Sequence, residues 1–180
     1  MVVLMLPGAF LGLGLGAVGF TWMDADLIRF AVGLMALLLV ANFALKGAPA
    51  GLPRQTPAPV VFSLGAMSGF ASFIAHAGGP PVKGYLLSQG FDKSQFVGTN
   101  TMFFFALNAI KTVAYAGMGQ LSLASLQVSA VIAPMLIVGV LLGTALHGRI
   151  DQRRFTTLVY GFLCLTGAKL LWDSVPQLFA

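Results

Sequence analysis

Six windows of apolar residues, at about 2–20, 27–45, 58–77, 97–117, 124–146 and 155–174, occupy most of the 180-residue chain. Each is close to the ~20 residues a helix needs to cross the hydrocarbon core of a bilayer. Most of the charges lie between the windows or near their ends, where a spanning helix meets water. Composition agrees: 58% of residues are apolar and only 8% charged, with a mean hydropathy of +0.91. Glutamate is absent, and the acids are Asp24, Asp26, Asp92, Asp151 and Asp173. A water-soluble domain of this size needs far more charge on its surface. The expected fold is all-α: a polytopic transmembrane helical bundle.

The net charge of +5 does not imply nucleic acid, because the cations stand singly between apolar runs and form no phosphate-tracking stripe. The lone Cys164 excludes an internal disulfide. Segment 46–59 (KGAPAGLPRQTPAP) holds four of the nine prolines and two cations, and reads as an extramembrane linker. Lys46 and Arg54 lie at that loop, Lys93 precedes the fourth window, and Arg149, Arg153 and Arg154 follow the fifth. The alternate loops, 21–26 (TWMDAD) and 118–123 (MGQLSL), are acidic or uncharged. Positive-inside logic places the cationic loops in the cytoplasm and the C-terminus in the periplasm of a bacterial inner membrane.

Residues 58 and 96 then lie on the same side, so the segment between them must enter and return. The Gly78-Gly79-Pro80-Pro81 break and the short stretch 80–90 are where it can do so. A broken or re-entrant helix is tolerated at membrane depth where it lines a polar cavity. An internal repeat is also visible. Gly12, Gly16 and Asp24 recur at an offset of 127 as Gly139, Gly143 and Asp151, and with one inserted residue Gly33 aligns with Gly161. The loop is acidic in the first copy and basic in the second, as expected of inverted-topology repeats. On this reading 1–45 is the last hairpin of a first repeat, 46–59 a cytoplasmic linker and 60–180 the second repeat. A further N-terminal stretch, or another subunit, is expected to complete the first.

Chemistry-bearing residues concentrate in two windows. Gly65, Gly69, Ser72 and His76 recur on one face of the third helix. They form either a packing seam of small residues or the approach to an anion site at the break, where free N–H groups and the helix dipole favour negative charge. Asn100, Asn108, Lys111 and Tyr115 share a face of the fourth, flanked by Thr99 and Thr101. An intramembrane lysine costs roughly 2.5–3.5 kcal/mol on insertion scales. Lys111 therefore either snorkels to the helix end or lines a polar pathway. Lys83 is a third cation near the break, also able to face the cytoplasm. Lys169 and Asp173 form an i, i+4 pair, and His147 reads as a solvated residue of the basic loop. No metal-ligand cluster, phosphate loop or catalytic triad occurs, so neither an enzyme nor a cofactor is expected.

Residues 73–85 (FIAHAGGPPVKGY), 86–93 (LLSQGFDK), Gly98-Thr99 and the Asn108, Lys111, Tyr115 spacing resemble the second half of TauE/SafE transporters. The resemblance covers roughly 60–120 well and the flanking glycine-rich hairpins more loosely. The family's first glycine-rich broken segment has no counterpart here. The resemblance implies secondary export of small sulfur-containing anions such as sulfite, thiosulfate or organosulfonates, with protons as a coupling ion. Carried onto this sequence, the substrate site is His76, Gly78, Gly79, Pro80, Thr99, Asn100, Asn108 and Lys111. Partners are then the anion, the lipid bilayer and, as the class allows, a second copy of the chain. The same residues also suit a passive anion channel or a non-transporting membrane half-subunit.

Overall fold

The apolar windows all wind into helices in the computed structural model of the chain, which describes residues 2–19, 22, 24–46 and 56–179. Among these are seven helices: α1 (Val2–Gly19), α2 (Ala25–Lys46), α3 (Ala58–Ala75), α4 (Gly79–Ser88), α5 (Lys93–Gly117), α6 (Leu123–Arg149) and α7 (Gln152–Phe179). No strand occurs among the described residues, so the chain is an all-α bundle as its composition requires. Most of the linker expected at 46–59 lies outside the described residues. α1, α2, α3, α6 and α7 are long and apolar enough to span a membrane. α5, at 25 residues, has the length, but Gln95, Thr99, Asn100, Thr101, Asn108 and Lys111 lower its apolarity.

The central seam joins α1 to α3. A methyl group on Gly12 would lie 2.0 Å from the Ala66 carbonyl oxygen, and one on Gly69 would lie 2.0 Å from that of Ala9. The two backbones therefore touch, which only glycine allows, and the small-residue stripe of α3 is a packing seam. The seam does not reach His76. That residue ends α3 in the left-handed region, φ 54°, and the turn carries its side chain off the helical face into an exposed position.

α2 packs along α7, with Phe43 stacked on Tyr160 at 3.8 Å between ring centroids. α6 stands apart over most of its length, with none of its described residues buried, and is tied to α5 at its last turn through His147. A methyl group on Gly139 or Gly143 would meet nothing within 4 Å. α7 closes on the expected Lys169–Asp173 pair, at 2.6 Å.

The 58–96 segment folds back on itself at the Gly-Gly-Pro-Pro break. Ser68 Oγ donates to the Gly78 carbonyl at 2.7 Å, and Gln89 Nε2 donates to Thr56 Oγ1 at 3.1 Å. These two bonds tie the antiparallel arms together at both ends. Pro80 and Pro81 fall in the first turn of α4, where their missing N–H groups break no helical bond. Asp92 then starts α5 with a capping box: its carboxylate accepts from Ser94 N and Gln95 N, each at 2.8 Å.

Candidate functional site

The fold-back sets the first turn of α4 beside the middle of α5. Between them lies an open cleft of 530 Å³, lined by Gly79, Lys83, Asn100, Thr101, Phe104, Phe105 and Asn108. α4 begins without a side-chain cap, and its two prolines have no N–H to offer. Its unpaired donors are thus concentrated at the glycines, and the positive end of its dipole faces the same region.

Gly78 cannot be replaced without moving this turn. A methyl group there would sit 2.6 Å from the Ser68 carbonyl oxygen and 2.7 Å from Ser72 Cβ. Ser68 itself is fully buried, so its hydroxyl fixes the start of α4 against α3 from inside the core.

Lys83 lies one turn along α4 from Gly79 and curls back over it. A methyl group on Gly79 would be 3.6 Å from Lys83 Nζ. The side chain is half-buried, and among the described residues its ammonium has neither a hydrogen bond nor an ion pair. Across the cleft, Asn100 Oδ1 is buried without a hydrogen-bond partner. Lys83 and Asn100 thus line one space whose walls include Phe104 and Phe105. Among the described residues Asn100 Oδ1 lacks the partner that a buried polar atom ordinarily has.

The residues expected from the sequence divide into three groups. Gly79, Asn100 and Asn108 share the cleft. Gly78 and Pro80 are buried beneath its edge, and half-buried Thr99 gives way to Thr101 as the lining threonine. His76 lies in a separate hollow of 250 Å³ with Phe73, Tyr115, Met118 and Gln120. Lys111 is buried, 6% exposed; its Nζ donates to the Ser72 carbonyl and lies 5.4 Å from the centre of the Tyr115 ring. Its charge is thereby directed at the end of α3.

Sequence reasoning left Lys83 out of the site, along with Thr101, Phe104 and Phe105; for Lys83 a signal was present. The signal was its i, i+4 spacing from Gly79, which puts both on one face once α4 is known to be helical. His147 is also more engaged than a solvated loop residue: its Nε2 lies 3.1 Å from Ser94 Oγ, and its ring meets Phe155 edge-on.

No curated protein and no solved structure matches the chain. A model of a family described as sulfite exporter TauE/SafE matches residues 1–170, which takes in every helix that builds the cleft. This multi-pass membrane protein, with its fold-back at Gly-Gly-Pro-Pro, belongs to the sulfite exporter TauE/SafE family, a family of anion transporters.

Proposed function

We propose that the chain exports small sulfur oxyanions, such as sulfite, thiosulfate or an organosulfonate, across the bacterial inner membrane, and that the Lys83 cleft is where they bind. The observation that carries this reading is the unpaired Lys83 ammonium above the uncapped start of α4. A lone cation at membrane depth is costly unless an anion shares its space. Donors at Gly79, Asn100 and Asn108 suit the oxygens of such an anion. Phe104 and Phe105 lower the local dielectric and strengthen the attraction. The cation-rich ends of the helices face the cytoplasm on this reading. Of the side-chain types among the candidate residues, imidazole is the one suited to exchanging a proton under physiological conditions, so proton coupling is assigned to His76.

Reconstituted protein is expected to carry sulfite or thiosulfate saturably, and K83Q to lower that flux at least about tenfold without loss of folded protein. Equal flux through K83Q and wild type would remove the cleft as the binding site. Saturation and response to a pH gradient separate a coupled exporter from a passive pore.

The half-subunit reading is favoured by one observation. α6 has no buried residue among those described, whereas its repeat counterpart α1 is packed backbone to backbone on α3. Cysteine cross-linking from position 139 to a second chain tests it; a fully active monomer without cross-links would end it.

A further inference from the structure

A second cavity, of 570 Å³, opens where α2 and α4 end and α5 and α7 begin; its lining includes Phe43, Leu87, Phe96, Arg153, Phe155 and Thr157. Most polar groups at this end of the bundle are already engaged. Lys93 Nζ donates to the His147 and Ile150 carbonyls at 2.6 Å each, and Arg154 pairs with Asp151 at 3.2 Å. Asp92 is occupied by the backbone N–H groups of Ser94 and Gln95. Arg153 has no hydrogen-bond or ion-pair partner for its guanidinium among the described residues. It is exposed and stands beside the Arg154–Asp151 pair, whose own charges offset one another, so it brings a net positive charge to the rim of the cavity.

This cavity adjoins the Lys83 cleft by helical register. On α5, Phe96 precedes Asn100 by four residues; on α4, Leu87 follows Lys83 by four. Each helix thus steps from one space to the other in a single turn, about 6 Å. The partition is apolar: Phe96 is 6% exposed, and its ring meets Phe155 edge-on with centroids 5.6 Å apart. A small anion leaving the Arg153 cavity has one aromatic and aliphatic layer to cross before it reaches Lys83.

We propose that the Arg153 cavity is a second anion station, the mouth on the basic end of the bundle, which collects the anion and passes it between Phe96 and Leu87 to the Lys83 cleft. A guanidinium suits this task because its planar fork takes two oxyanion oxygens at once. It also raises the local anion concentration at the mouth in a salt-dependent way. The proposal rests on the transport reading given above.

Sulfite flux measured separately from each face, in inside-out and right-side-out membrane vesicles, tests it. R153Q is expected to raise the KM from the basic face about 3- to 10-fold with maximal flux retained. The KM from the opposite face is expected to stay within about twofold. R153K keeps the charge and stays near wild type, while the salt dependence of the basic-face KM flattens in R153Q. An unchanged KM, or the same change from both faces, overturns the proposal. So does failure of R153Q to accumulate, which would make Arg153 a structural residue. Absence of saturable sulfite and thiosulfate flux in the wild type would instead overturn the transport reading itself, and this proposal with it.

Discussion

Lys111 Nζ donates across the α3–α5 interface to the Ser72 carbonyl oxygen. One turn further along α5, the Tyr115 hydroxyl donates to the next carbonyl, that of Phe73, at 3.3 Å. α3 stops at Ala75, so both carbonyls belong to its last turn, where the helical N–H ladder runs out. The polar stripe on α5 therefore completes a broken helix, with its charge at the negative end of the α3 dipole. K111A leaves a buried carbonyl without its donor, at about 1–3 kcal/mol. The expected outcome is a lower unfolding temperature in detergent, with flux falling in step with the amount of folded protein. Full stability with lost flux would return the amine to the transport pathway.

The α1–α3 seam makes a sharper structural prediction. With a carbonyl oxygen 2.0 Å from the position of an added methyl group, G69A forces the two helices apart along their whole contact. Overpacking against a side chain costs about 1–3 kcal/mol, and against backbone more. Folded protein is expected to be lost. G139A meets open space and is expected to match wild type when the two variants are compared by size-exclusion chromatography after heating.

The helices themselves were legible because bilayer-spanning segments have a length and polarity set by the solvent. The windows at 2–20 and 58–77 became α1 and α3 nearly residue for residue. The fold-back was legible too, since Gly78-Gly79-Pro80-Pro81 cannot continue a helix and the cationic loops required a return. Partners were harder to read. Asn100, Asn108 and Lys111 share a face by spacing, yet the asparagines line the cleft while Lys111 reaches to Ser72. A long side chain near the edge of a face can follow either neighbour, and periodicity does not decide which. His76 left its expected face for a different reason: one left-handed residue redirected it, and nothing in the helical spacing marks where α3 ends. Lys83 needed the three-dimensional return of α4 before its nearness to Asn100 could be seen.

Ser68 links core packing to the cleft. Its buried hydroxyl is the side-chain donor to the Gly78 carbonyl, which as the N-cap of α4 also accepts the first helical N–H, so S68A removes one of that carbonyl's two bonds at about 0.5–1.5 kcal/mol. It also loosens the turn from which Gly79 and Lys83 are presented. S68A is expected to lower the unfolding temperature and to raise the KM for sulfite. S68T keeps the hydroxyl but adds a methyl group to a fully buried site, and is expected to recover the KM only in part. A KM indifferent to S68A would mean that the start of α4 does not set the affinity of the cleft.

Asn100 separates binding from stability most cleanly. Its Oδ1 is buried and unpartnered, so in the empty cleft the amide contributes little to holding the fold together. Replacing it with a smaller apolar side chain removes an unsatisfied acceptor and is expected to leave the unfolding temperature unchanged or slightly raised. The same N100A change deletes a donor to the proposed substrate, so the KM for sulfite is expected to rise about 10- to 150-fold, the equivalent of one lost hydrogen bond to a charged group. N100D tests the sign of the site. A carboxylate opposite Lys83 would pair with the ammonium across the cleft and compete with the anion for it. Flux is then expected to fall below that of N100A, even though the side chain has nearly the same size. A cleft that selected cations would respond the other way, with flux retained or increased in N100D, so the order of these two variants reads the charge of the transported species directly.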